Sequence, residues 1–409
     1  MSKPTAELII GVMPEGPIAH DGNGYRYSKG ERLYLDNLAK NFKRVVLITL
    51  VLRSGDEAYE SCIHSPFEAP NIEIEELPRP RDSQLGVLGK AGHFFKVFLA
   101  LISIVRSVDV LYVFLPSYPS AMGWLVAKLF RKIHIVYGAD DWEQASQSMF
   151  KWNHLRNGLF YRVYAALNKW MEKRIVNSAL FAVAAGGQLR QKYTNFGCPT
   201  YDTSPRMTLT RANIYERNDT CQGDEIVLIN VGALIHDKAL HILLDAFQMA
   251  LLQHPKLKLK IVGQGPLLNE LRDQAESLGV AEKVDFMGYI EKEEQLYDLL
   301  KQADVFVLSS VTEGFPRVLY ESMSHRLPIV TTDVGGIPYL LIDDKNARVV
   351  TAGDSSALSS AITDMVSNDK KRQSIISRAS ETMEEVFDRL DPEQIAHLLD
   401  KHLKKTPGC

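Results

Sequence analysis

Apolar and polar positions follow a repeating order along the chain. A short aliphatic run is followed by a turn, and then by a stretch with apolar residues every three or four positions. The short runs have the length of strands, and the stretches have the period of a helix. Alternation of strands and helices is typical of a parallel sheet that carries helices on both faces. We therefore predict an α/β fold of doubly wound parallel sheets, whose strands are buried on both faces.

The pattern predicts strands at residues 8–12, 45–49, 110–114, 133–137, 180–184, 226–231, 259–262, 284–287, 305–308 and 329–332. It predicts helices at residues 30–41, 92–105, 120–129, 155–177, 239–253, 266–278, 293–302 and 316–325. The polar stretch 203–225 interrupts this alternation, and we place a domain linker there. The prediction is an N-terminal domain over residues 1–205 and a C-terminal domain over residues 206–389. We expect a helix over about 390–409 to pack back on the N-terminal domain.

Composition and cysteine spacing narrow the class of protein. Hydrophobic residues make up 45% of the chain, which is ordinary for globular domains. The four cysteines form no Cys-x-x-Cys pair, which argues against a zinc ribbon, a redox dithiol or a disulfide framework. We predict no export signal in the first residues, and the longest apolar run, 97–105, broken only by Ser103, is far shorter than the ~20 residues that span a bilayer. We predict a protein of the reducing cytoplasm.

The segment 305–321 carries the strongest chemical signal. Its strand ends at Leu308, and Pro316 suits the first position of the helix that follows. The backbone N–H groups from Phe315 and Arg317 onward could hold an anion such as a diphosphate. Because ligands of doubly wound sheets bind where strands end, we expect the functional residues in such turns.

Two glutamates flank the start of this helix. Glu313 precedes it, and Glu321 lies about 12 Å further along the axis. A ligand with hydroxyl groups at both ends and phosphates in the middle matches that span, because carboxylates accept strong hydrogen bonds from paired hydroxyls. Taken alone, two such glutamates would more simply be solvated side chains of an ordinary helix.

The residues around the two glutamates favour the ligand-binding interpretation over that of solvated side chains. Glu313-x7-Glu321, within the sequence Glu-Gly-Phe-Pro-Arg-Val-Leu-Tyr-Glu-Ser-Met, resembles the signature of glycosyltransferase family 4, the group 1 transferases of GT-B fold. The resemblance continues at 286–289 and 328–338, and it is dense over residues 226–350. It implies two Rossmann-like domains that face a cleft. It also implies a retaining transfer of a sugar from a nucleotide-sugar donor to a glycan or lipid-linked acceptor, in cell-envelope or exopolysaccharide biosynthesis.

The resemblance implies a donor site. Glu313 corresponds to the glutamate that holds the donor sugar, and Glu321 to the residue that binds the ribose. The remaining residues whose positions match donor contacts are Gly314, Phe315, Pro316 and Arg317 in the loop and helix start, Gly232 after an earlier strand, and Tyr289 and Ile290 beside the base.

A second motif, at residues 231–240, supplies a cation. Lys238 matches a lysine that neutralises the donor diphosphate, and we favour this role over that of a plain surface lysine. Ala233 stands where the family usually has an arginine. An apolar residue cannot replace arginine at such a site, so either Arg317 or Arg206 substitutes or the activity is weak.

The acceptor side is less clearly marked. Gly24 matches the family's flexible glycine-rich loop, although a plain surface loop explains it equally well. Asp140 and Asp141 follow a predicted strand where many relatives carry a histidine and an aspartate. Either could orient the acceptor hydroxyl or accept its proton. Capping of the next helix is an equally good explanation.

The implied mechanism needs no metal. Paired carboxylates are the usual retaining solution of glycosidases, and the sequence supplies no obvious second carboxylate. The family reacts on the same face as the departing diphosphate, so positive charge and helix N–H groups would carry much of the rate. We find no Asp-x-Asp motif and predict neither a metal nor another cofactor. Domain closure around the donor is expected, and no nucleic-acid partner is predicted.

Basic helices suggest a membrane. Residues 1–215 carry a net charge of +7 and the remainder −10, and basic residues alternate with bulky apolar ones over 150–174. Such helices could lie on the inner face of an anionic membrane. Burial of their apolar faces in the N-terminal domain is the other possibility, and the sequence leaves both open.

Two other functions remain open. A nicotinamide-dependent oxidoreductase is suggested by Gly263-Gln264-Gly265, but the third glycine of the fingerprint is replaced by Leu268. A GT-B pseudo-enzyme that binds a nucleotide sugar or a partner without turnover is suggested by Ala233 and by the lack of a histidine beside Asp140. The sugar, the nucleotide and the acceptor are not determined by the sequence.

Overall fold

The structure is a computed structural model, and it describes residues 4–56, 59, 65–79, 87–142, 159–203, 209–290, 292–313, 316–389 and 392–405. The chain forms two compact units. The first comprises Met1–Thr208 and Arg389–Cys409, and the second comprises Leu209–Asp388.

The first unit contains eleven described strands and five described helices before the boundary. The strands are β1 (Ile9–Met13), β2 (Ile18–His20), β3 (Tyr25–Tyr27), β4 (Arg44–Thr49), β5 (Val51–Leu52), β6 (Ser65–Pro66), β7 (Ile72–Glu76), β8 (Val110–Leu115), β9 (Ile133–Gly138), β10 (Ala182–Ala184) and β11 (Thr200–Asp202). The helices are α1 (Lys29–Ala39), α2 (Val87–Ser107), α3 (Tyr118–Leu129), α4 (Leu159–Asn177) and α5 (Gly187–Asn195).

Seven of these strands form one parallel sheet in the order β11-β10-β9-β8-β1-β4-β7. The chain winds outward from β1 to β7, returns to β8 and winds outward in the other direction. The topological switch point therefore lies between β1 and β8. At the edge, β7 alternates exposed glutamates with half-buried isoleucines, so the expectation of unbroken apolar strands is wrong there.

The remaining four strands form a small sheet in the order β5-β2-β3-β6. Its strands are two or three residues long. The sequence pattern did not predict this sheet, because strands of two or three residues are too short to show a hydrophobic period.

Helices cover both faces of the large sheet. On one face α1 contributes Leu35 and Leu38 to a core that also contains Ile395 and Leu399 of the C-terminal helix, Ile395–Lys405. On the other face α2, α3, α4 and α5 pack against the sheet through a second core. The last helix of the chain is thus part of the first unit's core.

The second unit is built on one six-stranded parallel sheet, in the order β14-β13-β12-β15-β16-β17. Its strands are β12 (Ile226–Val231), β13 (Leu257–Val262), β14 (Val284–Gly288), β15 (Val305–Leu308), β16 (Ile329–Thr332) and β17 (Arg348–Val350). Its helices are α6 (Leu240–Gln253), α7 (Leu268–Ser277), α8 (Glu293–Gln302), α9 (Arg317–Ser324), α10 (Ser355–Ser367) and α11 (Asp369–Phe387). The C-terminal helix of the first unit, Ile395–Lys405, is α12. Winding reverses after β14, so the switch point lies between β12 and β15.

Most predicted elements of the second unit begin and end within two residues of the observed ones. One boundary differs for a physical reason: α9 begins at Arg317, because Pro316 has an extended ψ of 115° and occupies the N-cap position. Strand β17 and helices α10 and α11 were not predicted.

We expect Leu399→Ala to lower the free energy of unfolding of the first unit by about 2–5 kcal/mol, because a fully buried leucine leaves a cavity. His397→Ala, on the exposed side of the same helix, is the matched control. Urea unfolding measures both variants. Equal unfolding free energies would contradict the packing of the C-terminal helix on this unit.

Candidate functional site

The candidate site of the second unit lies at the switch point of its sheet. The loop after β12 and the loop after β15 leave neighbouring strands in this region, and their chains then turn to opposite sides. A crevice at the carboxyl ends of such strands is the usual ligand site of a doubly wound sheet. The sequence had placed Lys238 in the first loop and Glu313 in the second.

Lys238 is fixed by its own loop. His236–Lys238 form one 3-10 turn, and Ala239 follows in the left-handed region, with φ of 46°. The hydroxyl of Ser309 donates to the carbonyl oxygen of Lys238 at 2.8 Å. A side chain at Gly232 would place its Cβ 3.6 Å from Cε of Lys238, so the lysine stem lies along this glycine.

Glu313 meets Lys238 across the switch point. Nζ of Lys238 lies 2.6 Å from Oε1 of Glu313, and the two side chains are 21% and 8% exposed. The hydroxyl of Ser310 donates to the same oxygen at 2.6 Å. Among the described residues only Oε1 is hydrogen-bonded, which leaves Oε2 as an acceptor for a ligand.

Glycines allow the neighbouring loops to approach closely. Gly263 has φ of +141°, and a Cβ on it would lie 1.9 Å from the carbonyl oxygen of Gly232. A Cβ on Gly265 would lie 2.4 Å from the carbonyl oxygen of Leu234. These glycines therefore bring the loop after β13 against the loop that carries Lys238, which accounts for the Gly-x-Gly sequence without a dinucleotide.

Glu321 lies on α9, one turn after Arg317. Burial raises the pKa of its carboxyl group, and the positive charge of Arg317 partly opposes this effect. No residue in the described parts of the chain donates a hydrogen bond to this carboxylate. A half-buried carboxylate without a donor is costly unless a ligand supplies one, and such groups are common at functional sites.

The loop after β14 is joined to the same region. Gly263 donates its N–H to the carbonyl oxygen of Gly288 at 2.8 Å. Gly288 has φ of +72°, and the ring of Tyr289 beyond it is 60% exposed. Tyr289 and Ile290 thus follow a strand end at the same edge of the sheet, two strands from β12.

Gly314, Phe315 and Arg206 lie outside the described residues, so their predicted contacts stay predictions. Pro316 is half-buried at the N-cap of α9, and Arg317 is exposed in its first turn. The first N–H groups of an α-helix have no carbonyl in a preceding turn. In α9 the N–H of Leu319 donates to the carbonyl oxygen of Pro316 at 3.2 Å. Those of Arg317 and Val318 have no partner among the described residues and could bind an anion.

In the first unit the two neighbouring aspartates have different surroundings. Oδ1 of Asp141 lies 2.8 Å from Nζ of Lys192, which also lies 2.7 Å from Oε2 of Glu172. Burial raises the pKa of Glu172, and Lys192 opposes this shift. Asp141 is therefore held in a buried ion-pair network. The residues that follow Trp142 lie outside the described ranges, so the capping of a helix by an aspartate stays a prediction.

Asp140 is not part of that ion-pair network. Its Oδ1 accepts the N–H of Asp141 at 2.8 Å, and burial raises the pKa of its carboxyl group. It follows β9 at the carboxyl edge of the large sheet, two strands from β1. A carboxylate with a raised pKa is a better base than an ordinary aspartate.

Gly24 lies elsewhere, in the turn of the hairpin between β2 and β3. Its N–H and that of Asn23 both donate to Oδ1 of Asp21 at 2.9 Å. This turn belongs to the small sheet, and its contact with a donor stays a prediction.

Sequence reasoning missed the residues that support the site. Ser309 and Ser310 directly follow a predicted strand, and this position could have marked them. Lys192 and Glu172 do not follow a strand. They lie 20 residues apart on two different helices, so no sequence pattern marked them.

Two further properties concern the described residues alone. Within them, no group of three or more His, Cys, Asp or Glu side chains is arranged to hold a metal ion. None of the helices described is both long and apolar enough to cross a membrane. The absence of a catalytic metal stays a prediction.

Comparisons with known proteins bear on the family and the fold of this chain. Residues 214–382 match the family model of Glycosyl transferases group 1. The putative colanic acid biosynthesis glycosyltransferase WcaL of Salmonella typhimurium is 28% identical over 203 residues, which cover 48% of this chain and 50% of that protein. The phosphatidylinositol N-acetylglucosaminyltransferase gpi3 subunit of Schizosaccharomyces pombe is 27% identical over 197 residues, which cover 46% and 43%. The match thus spans about half the length of these relatives.

The fold extends over nearly the whole chain. The crystal structure of Anabaena HepE in complex with UDP and glucose is similar with a TM-score of 0.66 and 17% identity, over 98% of this chain and 100% of that one. This likeness confirms the predicted GT-B fold. The predicted resemblance to the group 1 transferases is confirmed by the family match, while the assignment to family 4 stays a prediction.

We expect Gly263→Ala to destabilise the second unit by about 3 kcal/mol or more, because its Cβ would collide with the backbone of Gly232. Gly279→Ala is the matched control, since Gly279 also has a positive φ, of +69°, but open space around it. The control should lose only about 1–2 kcal/mol. Thermal unfolding measures both, and similar losses would show that the loops do not need this close approach.

We expect Lys192→Met to cost about 3–5 kcal/mol near ~pH 8, because it leaves Glu172 buried without a cation. The folded pKa of Glu172 is raised, so the folded state binds this proton more tightly, and stability is lost as pH rises through the folded pKa. The loss caused by the substitution should therefore shrink near ~pH 5. Urea unfolding at both pH values tests this, with exposed Lys173→Met as the control. A loss that does not change with pH would contradict the network.

Proposed function

We propose that this chain, whose residues 214–382 belong to the group 1 glycosyltransferases and whose fold is GT-B, is a retaining glycosyltransferase. It transfers a sugar from a nucleotide-sugar donor to a glycan or lipid-linked acceptor. The nucleotide sugar is a substrate, and the proposal includes neither a metal nor another cofactor.

The ion pair at the switch point carries this proposal. In a nucleotide sugar the reacting carbon is bonded directly to a phosphate oxygen, so the groups that recognise sugar and phosphate must be neighbours. Lys238 and Glu313 are such neighbours, at 2.6 Å. The ammonium would bind the diphosphate, and the free Oε2 of the carboxylate would accept a sugar hydroxyl.

The rest of the donor extends along the same edge of the sheet. The N–H groups at the start of α9 and the side chain of Arg317 add positive charge for the diphosphate. Glu321 would accept hydrogen bonds from the ribose diol, which supplies the donors that its carboxylate lacks. The backbone at Tyr289 and Ile290 would contact the base. We take a uridine diphosphate sugar as the first donor to test, because Anabaena HepE is in complex with UDP and glucose.

The reaction breaks the bond between the anomeric carbon and the phosphate oxygen, and the acceptor oxygen forms a new bond to that carbon on the same face. The proton of the acceptor hydroxyl passes to the departing diphosphate. Lys238 and the helix N–H groups stabilise the negative charge on the leaving oxygens, which is where most of the catalysis would arise. Arg317 would compensate for Ala233.

Asp140 is the proposed acceptor-side residue of the first unit. Its raised pKa and its position after β9 suit a group that orients the acceptor hydroxyl. Asp141 would support it through the ion pair with Lys192. Relatives named for colanic acid and phosphatidylinositol glycosylation support a glycan or lipid acceptor.

A second candidate is binding of a nucleotide sugar without turnover. It is favoured by Ala233, which removes one of the two usual cations, and by the neutralisation of Lys238 in the ion pair. The two candidates share donor binding and differ only in transfer.

We expect Glu321→Gln to weaken donor binding about 10–100-fold, because charge-assisted hydrogen bonds to the ribose are lost. Glu276→Gln, an exposed glutamate of α7, is the matched control. Titration calorimetry with UDP-sugars and GDP-sugars measures both. Unchanged affinity in Glu321→Gln would remove this residue from the donor site.

We expect Glu313→Gln to lower kcat on the order of 100-fold, because the substitution removes the carboxylate charge that interacts with both the sugar and Lys238. Release of nucleoside diphosphate, with a labelled donor and a lipid-linked acceptor, measures the rate against the same Glu276→Gln control. If the wild-type protein binds the donor but releases no nucleoside diphosphate, the result supports binding without turnover.

A further inference from the structure

The outer face of three neighbouring helices in the first unit is apolar and exposed. It carries eight large hydrophobic side chains, each between 49% and 64% exposed. They are Phe94, Phe95 and Leu99 of α2, Leu125 and Leu129 of α3, and Val163, Leu167 and Trp170 of α4. We call this set the outer face. Soluble proteins rarely expose a set of this kind without a partner.

Seven of the eight side chains project from helix sides that face away from the sheet, whereas Phe94 is on the same helical face as Leu101 and is exposed in the N-terminal half of α2. The inner residues of the three helices, among them Leu101 of α2, Val126 of α3 and Ile175 of α4, belong to one core that packs against the large sheet. Helix α3 lies between the other two and contacts both. The outer residues therefore form one surface, and the sequence-based possibility that the apolar residues are all buried is wrong for this side of the helices.

The charges on these helices have one sign. The described residues of α2, α3 and α4 include seven exposed cations, which are Lys96, Arg106, Lys128, Arg162, Lys169, Lys173 and Arg174. Their one acidic residue, Glu172, is fully buried and is paired with Lys192. In addition, the guanidinium of Arg174 lies 5.7 Å from the ring centre of Trp170, so apolar and cationic groups are interleaved.

We propose that the outer face docks on the surface of an anionic lipid bilayer. Apolar side chains would enter the boundary between headgroups and acyl chains, while the surrounding cations meet anionic headgroups. The pair of Trp170 and Arg174 suits this boundary, because the aromatic ring is apolar while the guanidinium stays hydrated. A second copy of the chain fits less well, since a two-fold interface would place these seven cations against one another.

This surface is separate from the proposed donor site, which lies in the second unit. Bilayer binding needs no donor and no transfer, so its failure is distinguishable from failure of the proposed function. Where the proposed function holds, docking would bring the first unit to a lipid-linked acceptor.

Flotation of the full chain with lipid vesicles tests the proposal. Vesicles of phosphatidylcholine alone are compared with vesicles of phosphatidylcholine and phosphatidylglycerol. We expect the protein to bind only the anionic vesicles and to lose binding in high salt, where the Debye length falls to about 3 Å.

Two sets of substitutions separate the contributions of charge and apolar contact. The charge set, Lys96→Gln, Lys128→Gln and Lys173→Gln, should lower vesicle binding on the order of 100-fold, at about fivefold per charge. The apolar set, Leu99→Ser, Leu129→Ser and Trp170→Ser, should lower it at least about tenfold. Both sets change exposed side chains, so thermal midpoints and UDP-sugar affinity should be unchanged.

The matched control is Lys256→Gln, Lys345→Gln and Lys370→Gln, three exposed lysines of the second unit. It removes the same charge elsewhere and should bind vesicles as the wild type does. The proposal is overturned if the charge set binds like this control, if neutral vesicles bind equally well, or if no vesicles bind. Sedimentation equilibrium adds another test: a dimer that the apolar set dissociates would assign the outer face to a second copy.

Discussion

The ion pair between Lys238 and Glu313 joins the two halves of the second sheet where they diverge. Strands β12 and β15 are neighbours, but the chain winds in opposite directions after them, and ligands of doubly wound sheets bind in the crevice at such a switch point. The charges at this crevice are opposite and 2.6 Å apart. A ligand that binds there must satisfy both, with an anionic group for the lysine and hydroxyl donors for the carboxylate. A phosphorylated sugar meets both demands, and this requirement underlies the function we propose.

The surrounding backbone keeps this pair in place. Gly263 lets the loop after β13 approach the carbonyl of Gly232, and Ser309 fixes the turn that carries Lys238. The first unit uses a different arrangement. There Lys192 holds Asp141 and the buried Glu172 together, and Asp140 stays outside the pair. Its helices also expose an apolar and cationic surface, and it is this surface that we propose to contact an anionic bilayer.

Much of the site could be predicted because its residues lie in short motifs after strands. Glu313 and Glu321 were found together, since one loop and one helix carry both, and Lys238 was found from its own loop. Their meeting could not be predicted from spacing, because Lys238 and Glu313 lie 75 residues apart. The different surroundings of Asp140 and Asp141 also depend on Lys192, which is 51 residues away from Asp141. Adjacent residues of one type look alike until distant partners are known.

The sequence by itself determined the alternation of strands and helices, the buried strands near the switch points, and the motif that resembles the group 1 transferases. These features are local, because hydrophobic period and helix-start chemistry act over a few residues. Only the tertiary structure decided which loops meet, which aspartate is tied into ion pairs, and which side of the basic helices faces water. Burial and ion pairing are properties of positions in space, and they join residues that the chain keeps far apart.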